Sequence, residues 1–292
     1  KLLNFYQMKN FFAFLIALNI YLISYSQEGR VYSILFFFSF LSFIYFIKIF
    51  SKNKKKDNYL FIIFTLIAIF LHPFALIILF SYCTFLILKY LVTKKYSKKI
   101  NNSLILIFIF SFLFYFLYFI SLDHTHSRHY WITNQDLSFY TNFFFSSFFG
   151  SRLMGAIFLL SLVILLIKEK KLIKDLHILT VFFITIILAY LLPIIFGYVF
   201  KPVLISRYII FVLIPILTII SLLSSRITIK KFKYFFVFFL ILATFLNHFT
   251  EQTFKQFLNE RVPSKPEYNK AISYMNKSEH HYYFIKVENM LS

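Results

Sequence analysis

Charged residues, glycine and proline are all scarce in this chain, and their scarcity limits the classes of protein it can belong to. Only 14% of the 292 residues are charged and 60% are hydrophobic, with four Gly and six Pro. A soluble domain cannot bury so much apolar surface, and apolar runs of about 20 residues recur along the chain. These runs lack the alternating polarity of a membrane β-barrel. The composition therefore indicates an all-α, polytopic transmembrane helix bundle.

The motifs of soluble enzymes and nucleic-acid binders are missing as well. There is no Gly-rich phosphate loop, no His-Glu-x-x-His and no Gly-x-Ser-x-Gly. The single cysteine, Cys83, cannot form an intramolecular disulfide, and we interpret it as a small core residue. The net charge of +20 does not indicate a nucleic-acid partner, because most Lys residues cluster in short spacers between apolar runs.

Nine apolar segments predict about nine membrane helices, and together they make a transmembrane domain over residues 1–249. The tail, residues 250–292, is soluble in character. A capping box at Ser264–Glu267 predicts a short helix, and Tyr282–Val287 predicts a strand. We expect this tail to be the start of a small outer-face domain. The nine segments are 11–24, 32–50, 59–71, 73–92, 103–120, 154–167, 178–200, 208–223 and 235–249.

Lysine clusters fill every second spacer, which predicts the topology. Positive residues mark the cytoplasmic side, so we expect a multi-pass protein of the plasma (inner) membrane. Its N-terminus would be cytoplasmic and its C-terminus periplasmic or extracellular. Five of the six Arg, all but Arg226, fall on the outer side. Arg binds phosphate or carboxylate as a rigid fork, which favours an outer anion site, although chance and the inward bias of Lys would give the same sorting.

The outer elements supply further candidates. His72-Pro73 divides two apolar runs and is either a simple turn or a site residue, because Pro is tolerated in a first helical turn. The long loop 121–153 contains Trp131 and an Asp-His-Thr-His-Ser-Arg-His cluster without recognised ligand spacing, so no metal site is predicted. Lys201 and Arg207 would either anchor the chain by snorkelling or hold a lipid phosphate. Pro193 and Pro215 are expected to kink their helices.

Four sequence matches, in order, carry a resemblance to a known family. Tyr25-Ser-Gln-Glu-Gly-Arg-Val-Tyr-Ser33 resembles a "YSQEAR-x-YS" segment, and His72-Pro-Phe74 resembles the His-aromatic start of a later helix. Tyr130-Trp-Ile-Thr-Asn-Gln-Asp-Leu137 resembles a Trp-containing loop, and Lys201–Tyr208 with Pro215 resembles an "RY…P" helix. The chain thus resembles the GT-C-fold, family-39-like bacterial membrane glycosyltransferases, which are related to protein mannosyltransferases and the lipid A aminoarabinose transferase. The matches span about residues 11–225.

The resemblance implies transfer of a sugar from a polyprenyl-phosphate donor to a glycan, lipid or protein acceptor at the outer face of the membrane. In such enzymes an acidic residue in the first outer loop is the general base. That loop precedes the YSQE-type segment, so we expect the base upstream of Lys1, with Glu28 a supporting acid. Gly29 in place of Ala is expected to matter little, and a divalent cation is left open as a cofactor. The expected substrate-binding residues are Glu28, Arg30, Tyr32, His72, Trp131, Lys201 and Arg207.

Other interpretations of the same features stay open. An O-antigen-type polymerase, or a flippase or transporter of lipid-linked sugars, would also be basic, rich in helices and provided with outer Arg residues. A membrane subunit without catalysis is a third reading. Glu28 and Arg30 would then form only a local interfacial pair, worth at most about 1 kcal/mol. An acid in a first outer loop after one helix would favour the transferase.

Overall fold

The computed structural model describes residues 9–52, 54–94, 98–121, 147–168, 176–200 and 202–249. Within these ranges the chain is helical and contains no strand. Short 3-10 helices at Pro73–Ala75, Ser206–Val212 and Asn247–Phe249 connect to the longer elements. The α-helices are α1 (Lys9–Ala17), α2 (Ile20–Gln27), α3 (Val31–Lys52), α4 (Lys55–Leu71), α5 (Leu76–Thr93), α6 (Lys98–Ser121), α7 (Arg152–Lys168), α8 (Leu176–Val199), α9 (Leu213–Ser225) and α10 (Lys230–Leu246).

Every predicted apolar segment falls on helix, and six helical stretches are long and apolar enough to cross a membrane. They are Val31–Phe50, Pro73–Thr93, Ile100–Tyr118, Leu179–Val199, Ser206–Ser225 and Lys230–Phe249. The bent pair α1 and α2 makes a seventh if it is counted as one span. The two helices that remain, α4 and α7, are 17 residues long each. The described part of the chain is therefore an all-helical bundle, as expected of a membrane protein.

The first apolar segment was predicted as one helix, and that prediction was wrong. Residues 11–24 contain two helices, α1 and α2, that meet at an angle of 56°. The cause is Asn19, whose extended backbone (φ −71°, ψ 114°) ends the first helix. Its side-chain oxygen then accepts a hydrogen bond from Leu22 N at 3.0 Å and caps the second helix.

Both prolines lie within helical segments. Pro193 lies inside α8, which continues to Val199. Pro215 is in the first turn of α9, where its missing N–H needs no partner. The irregularity of this segment lies earlier, in the 3-10 helix Ser206–Val212, where Ile209 has non-helical angles (φ −110°, ψ 26°).

The bundle is organised around the stretch Ser206–Ser225, in which 83% of an 18-residue window is buried. By contrast, 11% of such a window in Lys230–Phe249 is buried, so this last helix turns most of its apolar surface outward, as a lipid-facing helix does. In one half of the bundle, the aromatic rings of Phe43, Phe46 and Tyr82 pack face to face or edge to face.

A buried hydroxyl network links three helices in that half. Ser42 Oγ lies 2.7 Å from Thr65 Oγ1 and 2.9 Å from the Tyr82 hydroxyl. Interhelical hydrogen bonds of this kind contribute on average about 0.6 kcal/mol each in membrane proteins. The network therefore fixes how α3, α4 and α5 pack as well as holding them together.

Lysine is concentrated at one end of the bundle, and other ionisable residues lie at the opposite end. Among the described residues, every Lys except Lys9 lies near the ends of α3, α5 and α7 or the starts of α4, α6 and α10. The opposite end, where α2 meets α3 and α4 meets α5, carries Glu28, Arg30 and His72 instead. This separation is the pattern that the alternating lysine spacers predict. The tail, with its predicted helix and strand, and the outer-face domain it was expected to begin lie outside the described residues.

Candidate functional site

Five aromatic rings from three separate parts of the chain meet at the lysine-poor end. We call them the rim cluster: Tyr25, Tyr32, His72, Phe74 and Tyr208. The ring centre of Tyr32 lies 5.5 Å from that of Tyr25, 5.9 Å from His72 and 6.2 Å from Tyr208. His72 and Tyr208 are 4.7 Å apart, and Phe74 contacts both. The cluster joins the start of α3, the corner between α4 and α5, and the 3-10 helix before α9.

Arg207 places a positive charge against this cluster. Its guanidinium carbon lies 5.8 Å from the ring centres of both Tyr32 and Tyr208. Cation–π contacts contribute about 0.5–1 kcal/mol at exposed sites and about 2 kcal/mol or more where water is excluded. The side chain is half-buried at the start of a mostly buried span, so its position is fixed by the rings around it. An anion arriving from outside would meet a pre-oriented fork.

Glu28 and Arg30 form an ion pair beside the rim cluster. Arg30 Nε lies 3.5 Å from Glu28 Oε2, with 43% of the Arg30 side chain and 23% of the Glu28 side chain exposed. Such a pair contributes about 0–1 kcal/mol, so it does little for stability. Arg207 lies against the Tyr32 ring, and Arg30 comes two residues before Tyr32 in the chain. The two guanidinium groups therefore belong to one region of the protein.

Gly29 makes the turn that brings Glu28 and Arg30 together. Its φ is +63°, in the left-handed region. An L-residue pays about 1–2 kcal/mol there, so the glycine is not equivalent to the alanine of the resembled segment. The expectation that this change matters little does not fit the backbone of the turn.

His72 forms the corner between α4 and the helix that follows. Its Nδ1 accepts a hydrogen bond from Phe74 N at 3.3 Å, which caps the 3-10 helix that begins at Pro73. Burial, and then the positive charge of Arg207, lower the pKa of His72 to about 4. The imidazole is therefore neutral at physiological pH. His72 is thus both a turn residue and a member of the cluster.

A set of hydrogen bonds holds α2 against neighbouring parts of the chain and so supports the rim cluster. Asn19 Nδ2 donates to the Phe148 carbonyl at 3.0 Å, and Asn247 Nδ2 donates to the Phe149 carbonyl at 2.9 Å. Ser151 Oγ donates to Asn247 Oδ1 at 3.1 Å. We call Asn19, Phe148, Phe149, Ser151 and Asn247 the amide clamp. The ring of Tyr21 in α2 also packs edge-on against that of Phe148, with the ring centres 5.3 Å apart. Its ring centre lies 4.7 Å from that of Tyr25.

Of the seven expected site residues, the described part of the chain includes five, and it brings them to one end. Tyr32, His72 and Arg207 are in or against the rim cluster, and the pair Glu28 and Arg30 lies beside it. Trp131, Lys201 and the histidine-rich part of the loop 121–153 lie outside the described residues. Among the described residues, no three His, Cys, Asp or Glu side chains are grouped so as to hold a metal ion.

Sequence reasoning missed several residues that build this end of the protein. Tyr25 and Tyr208 fell inside the quoted segments but were not selected, because Tyr is abundant in this chain (21 residues). Asn19 and Asn247 of the amide clamp were missed too. Their signal was available, since an isolated polar side chain within an apolar segment is costly unless another group bonds to it.

Comparison of the chain with protein-family models, with curated proteins and with solved structures finds no match. The resemblance to family-39-like glycosyltransferases therefore stays a prediction from the four sequence segments. What stands independently of it is a helical membrane protein with a charged aromatic cluster at its lysine-poor end.

Proposed function

We propose that this chain is a membrane glycosyltransferase that moves a sugar from a polyprenyl-phosphate donor to a glycan, lipid or protein acceptor. The observation that carries the proposal is the convergence of Arg207 and the rim cluster, with Arg30 alongside. A cation next to stacked rings suits a ligand that joins a negative phosphate to a sugar, because sugars pack their apolar faces on aromatic rings.

Each of these residues would have its own role in sugar transfer. Arg207, with Arg30, attracts the donor phosphate and stabilises the charge that grows on it as the bond from the sugar C1 to the phosphate oxygen breaks. The rings of Tyr32 and Tyr208 line the space beside that phosphate. Glu28 orients Arg30 or a sugar hydroxyl. The acceptor hydroxyl forms the new bond to C1 and gives its proton to a general base.

The site would face the non-cytoplasmic side. The lysine-rich ends of the helices are expected to be cytoplasmic, which puts the rim cluster on the outer face, and α4, α7 and the bent pair would complete nine spans. The sole cysteine allows a direct test. In a Cys83→Ala background, Ser26→Cys at the rim should react with an impermeant maleimide in whole cells, whereas Lys54→Cys should react only after the membrane is opened. The reverse pattern would overturn this orientation.

Transfer of radiolabelled sugar in membranes containing the whole protein tests the activity. Arg207→Ala should lower the rate by about 10²–10³-fold, the usual effect of removing a group that stabilises developing charge. Arg207→Lys should recover only part of it, because Lys keeps the charge but not the planar fork. Arg226→Ala, at the lysine-rich end, is the matched control and should behave as wild type.

Two outcomes would refute the proposal. If the wild-type protein transfers no sugar from any polyprenyl-phosphate donor but moves lipid-linked sugars across vesicles, the flippase reading is correct. If it extends a glycan from lipid-linked oligosaccharides instead, it is an O-antigen-type polymerase. Equal rates for wild type, Arg207→Ala and Arg30→Ala would leave the transferase reading in place but remove these residues from the site.

A further inference from the structure

His72 has two ring nitrogens, and the structure gives them different roles. Nδ1 accepts the Phe74 N–H, so in the neutral ring the proton must be on Nε2. Among the described residues, no hydrogen bond from Nε2 is formed. The corner therefore holds the imidazole in one tautomer, with its N–H donor left for another partner.

The surroundings of His72 keep the ring neutral. The rings of Tyr208, in the 3-10 helix before α9, and Tyr32, at the start of α3, contact it, and the guanidinium group of Arg207 lies against both of these rings. Of these groups only Arg207 is charged at neutral pH, and its charge is positive. Protonating the ring would add a second cation beside the first and would also break the Nδ1 bond to Phe74. A protonated His72 beside Arg207 would also attract an anion. However, the hydrogen bond that Nδ1 accepts from Phe74 N requires a neutral ring, so the corner favours one cation and one neutral donor.

We propose that His72 is a positioning residue that donates a hydrogen bond from Nε2 of its neutral ring to the anionic phosphate oxygens attracted by Arg207. This inference rests on the proposed function, because it takes the headgroup of the lipid-linked donor as the ligand. Arg207 supplies the long-range attraction, and His72 supplies a directed contact on the neighbouring side of the same ligand. A neutral donor adds this contact without repelling Arg207.

Two substitutions separate the two nitrogens. His72→Asn keeps an acceptor near the position of Nδ1, so it can still cap the Phe74 N–H as Asx turns do, but it removes the distal N–H. His72→Gln places an amide N–H farther out, near the position of Nε2. His72→Asn should raise KM for the polyprenyl-phosphate sugar by about 10–100-fold, typical of losing a hydrogen bond to a charged group, with little change in kcat. His72→Gln should recover most of that loss, and His248→Asn is the matched control.

The pH dependence gives a readout that needs no variant. The donor is a phosphodiester, whose acid group stays ionised throughout the range, so KM should be flat from about pH 5.5 to about pH 8. A histidine that binds as a cation would instead titrate near its ordinary pKa of about 6.5.

Several results would overturn the inference. They are an unchanged KM in His72→Asn at wild-type thermal stability, a KM step near pH 6.5 that His72→Asn abolishes, or equal losses in the Asn and Gln variants when both are folded. If His72→Asn does not fold, a KM step near pH 6.5 in the wild-type protein still overturns the inference. Absence of any sugar transfer by the wild-type protein is a separate result, because it would refute the proposed function before His72 is tested.

Discussion

Gly150 gives the sharpest structural test, because two independent effects forbid a side chain there. The residue lies between the two ends of the amide clamp, with a φ of +79°. A Cβ at this position would overlap Cγ2 of Ile20, the first residue of α2, and would lie 3.0 Å from Asn247 Nδ2. The added methyl group of Gly150→Ala would therefore clash with Ile20 of α2 and crowd Asn247 of the amide clamp.

The expected cost is the sum of a backbone term and a packing term. The left-handed backbone costs an L-residue about 1–2 kcal/mol, and reduced freedom in the unfolded chain offsets about 0.4–1 kcal/mol of this. Forcing a methyl group into occupied space adds about 1–3 kcal/mol. Gly29→Ala isolates the first term, because Gly29 has a φ of +63° and nothing within 4 Å of the added Cβ. Gly150→Ala should thus be less stable than Gly29→Ala by about 1–3 kcal/mol.

Thermal unfolding of the purified protein in one detergent measures this difference, which corresponds to about 2–12 °C in Tm for a domain of this size. Ile20→Ala removes the overlapping methyl group, so the Gly150→Ala penalty should shrink in that background. The double-mutant cycle reports the coupling directly. Equal Tm values for the two glycine variants, or full additivity with Ile20→Ala, would refute the packing described for this turn.

Three further predictions follow from the described contacts. Tyr82→Phe should lower stability by about 0.6 kcal/mol, since it removes the hydrogen bond to Ser42 and keeps the ring, and unfolding in detergent measures it. Asn19→Ala should cost about 1–2 kcal/mol through loss of the α2 cap and should also lower sugar transfer, which Tyr82→Phe should not. The folded-state pKa of His72, about 4, lies below the ordinary 6.5. His72 should therefore cause no loss of stability above about pH 6.5. As the pH falls toward 4, protonation of His72 in the unfolded chain should lower the free energy of unfolding by up to ~1.4 kcal/mol per pH unit, and His72→Asn should lack this decrease. An identical pH–stability profile in His72→Asn, or unaltered transfer in Asn19→Ala, would contradict these assignments.

The helical segments could be read from the sequence because hydrophobicity alone decides them. In a bilayer every backbone polar group must be satisfied within its own segment, so a long apolar run has little choice but to be a helix. The bend at Asn19 was not read, because a single polar residue changes mean hydropathy very little while its side chain ends one helix and caps the next. The irregular backbone at Ile209 was not predicted either, because an isoleucine in an apolar run carries no signal of non-helical angles.

The membership of the site was predictable only in part. Charged residues in an apolar chain attract notice, so Glu28, Arg30 and Arg207 were selected from the sequence. Tyr25 and Tyr208 were not, because no sequence pattern separates a tyrosine that packs near Arg207 from the many other tyrosines of the chain. Contact between residues so far apart in the chain is set by how α3, α5 and α9 pack, and single-sequence periodicity carries no information on that.

Lys and Arg occur at different places in the bundle, and the contacts of Arg207 give a physical reason for the difference. Topology needs only positive charge, and Lys provides it at the end opposite the rim cluster. A chain so biased toward Lys would have no reason to use Arg at position 207 if charge alone were required there. The guanidinium group of Arg207 lies 5.8 Å from two tyrosine ring centres. A flat cation can stack against such rings and still present N–H donors at its edge, whereas an ammonium group on a flexible stem loses most of this orientation. The choice of Arg207 thus agrees with a fixed direction of hydrogen bonding, which a binding site requires and a membrane anchor does not.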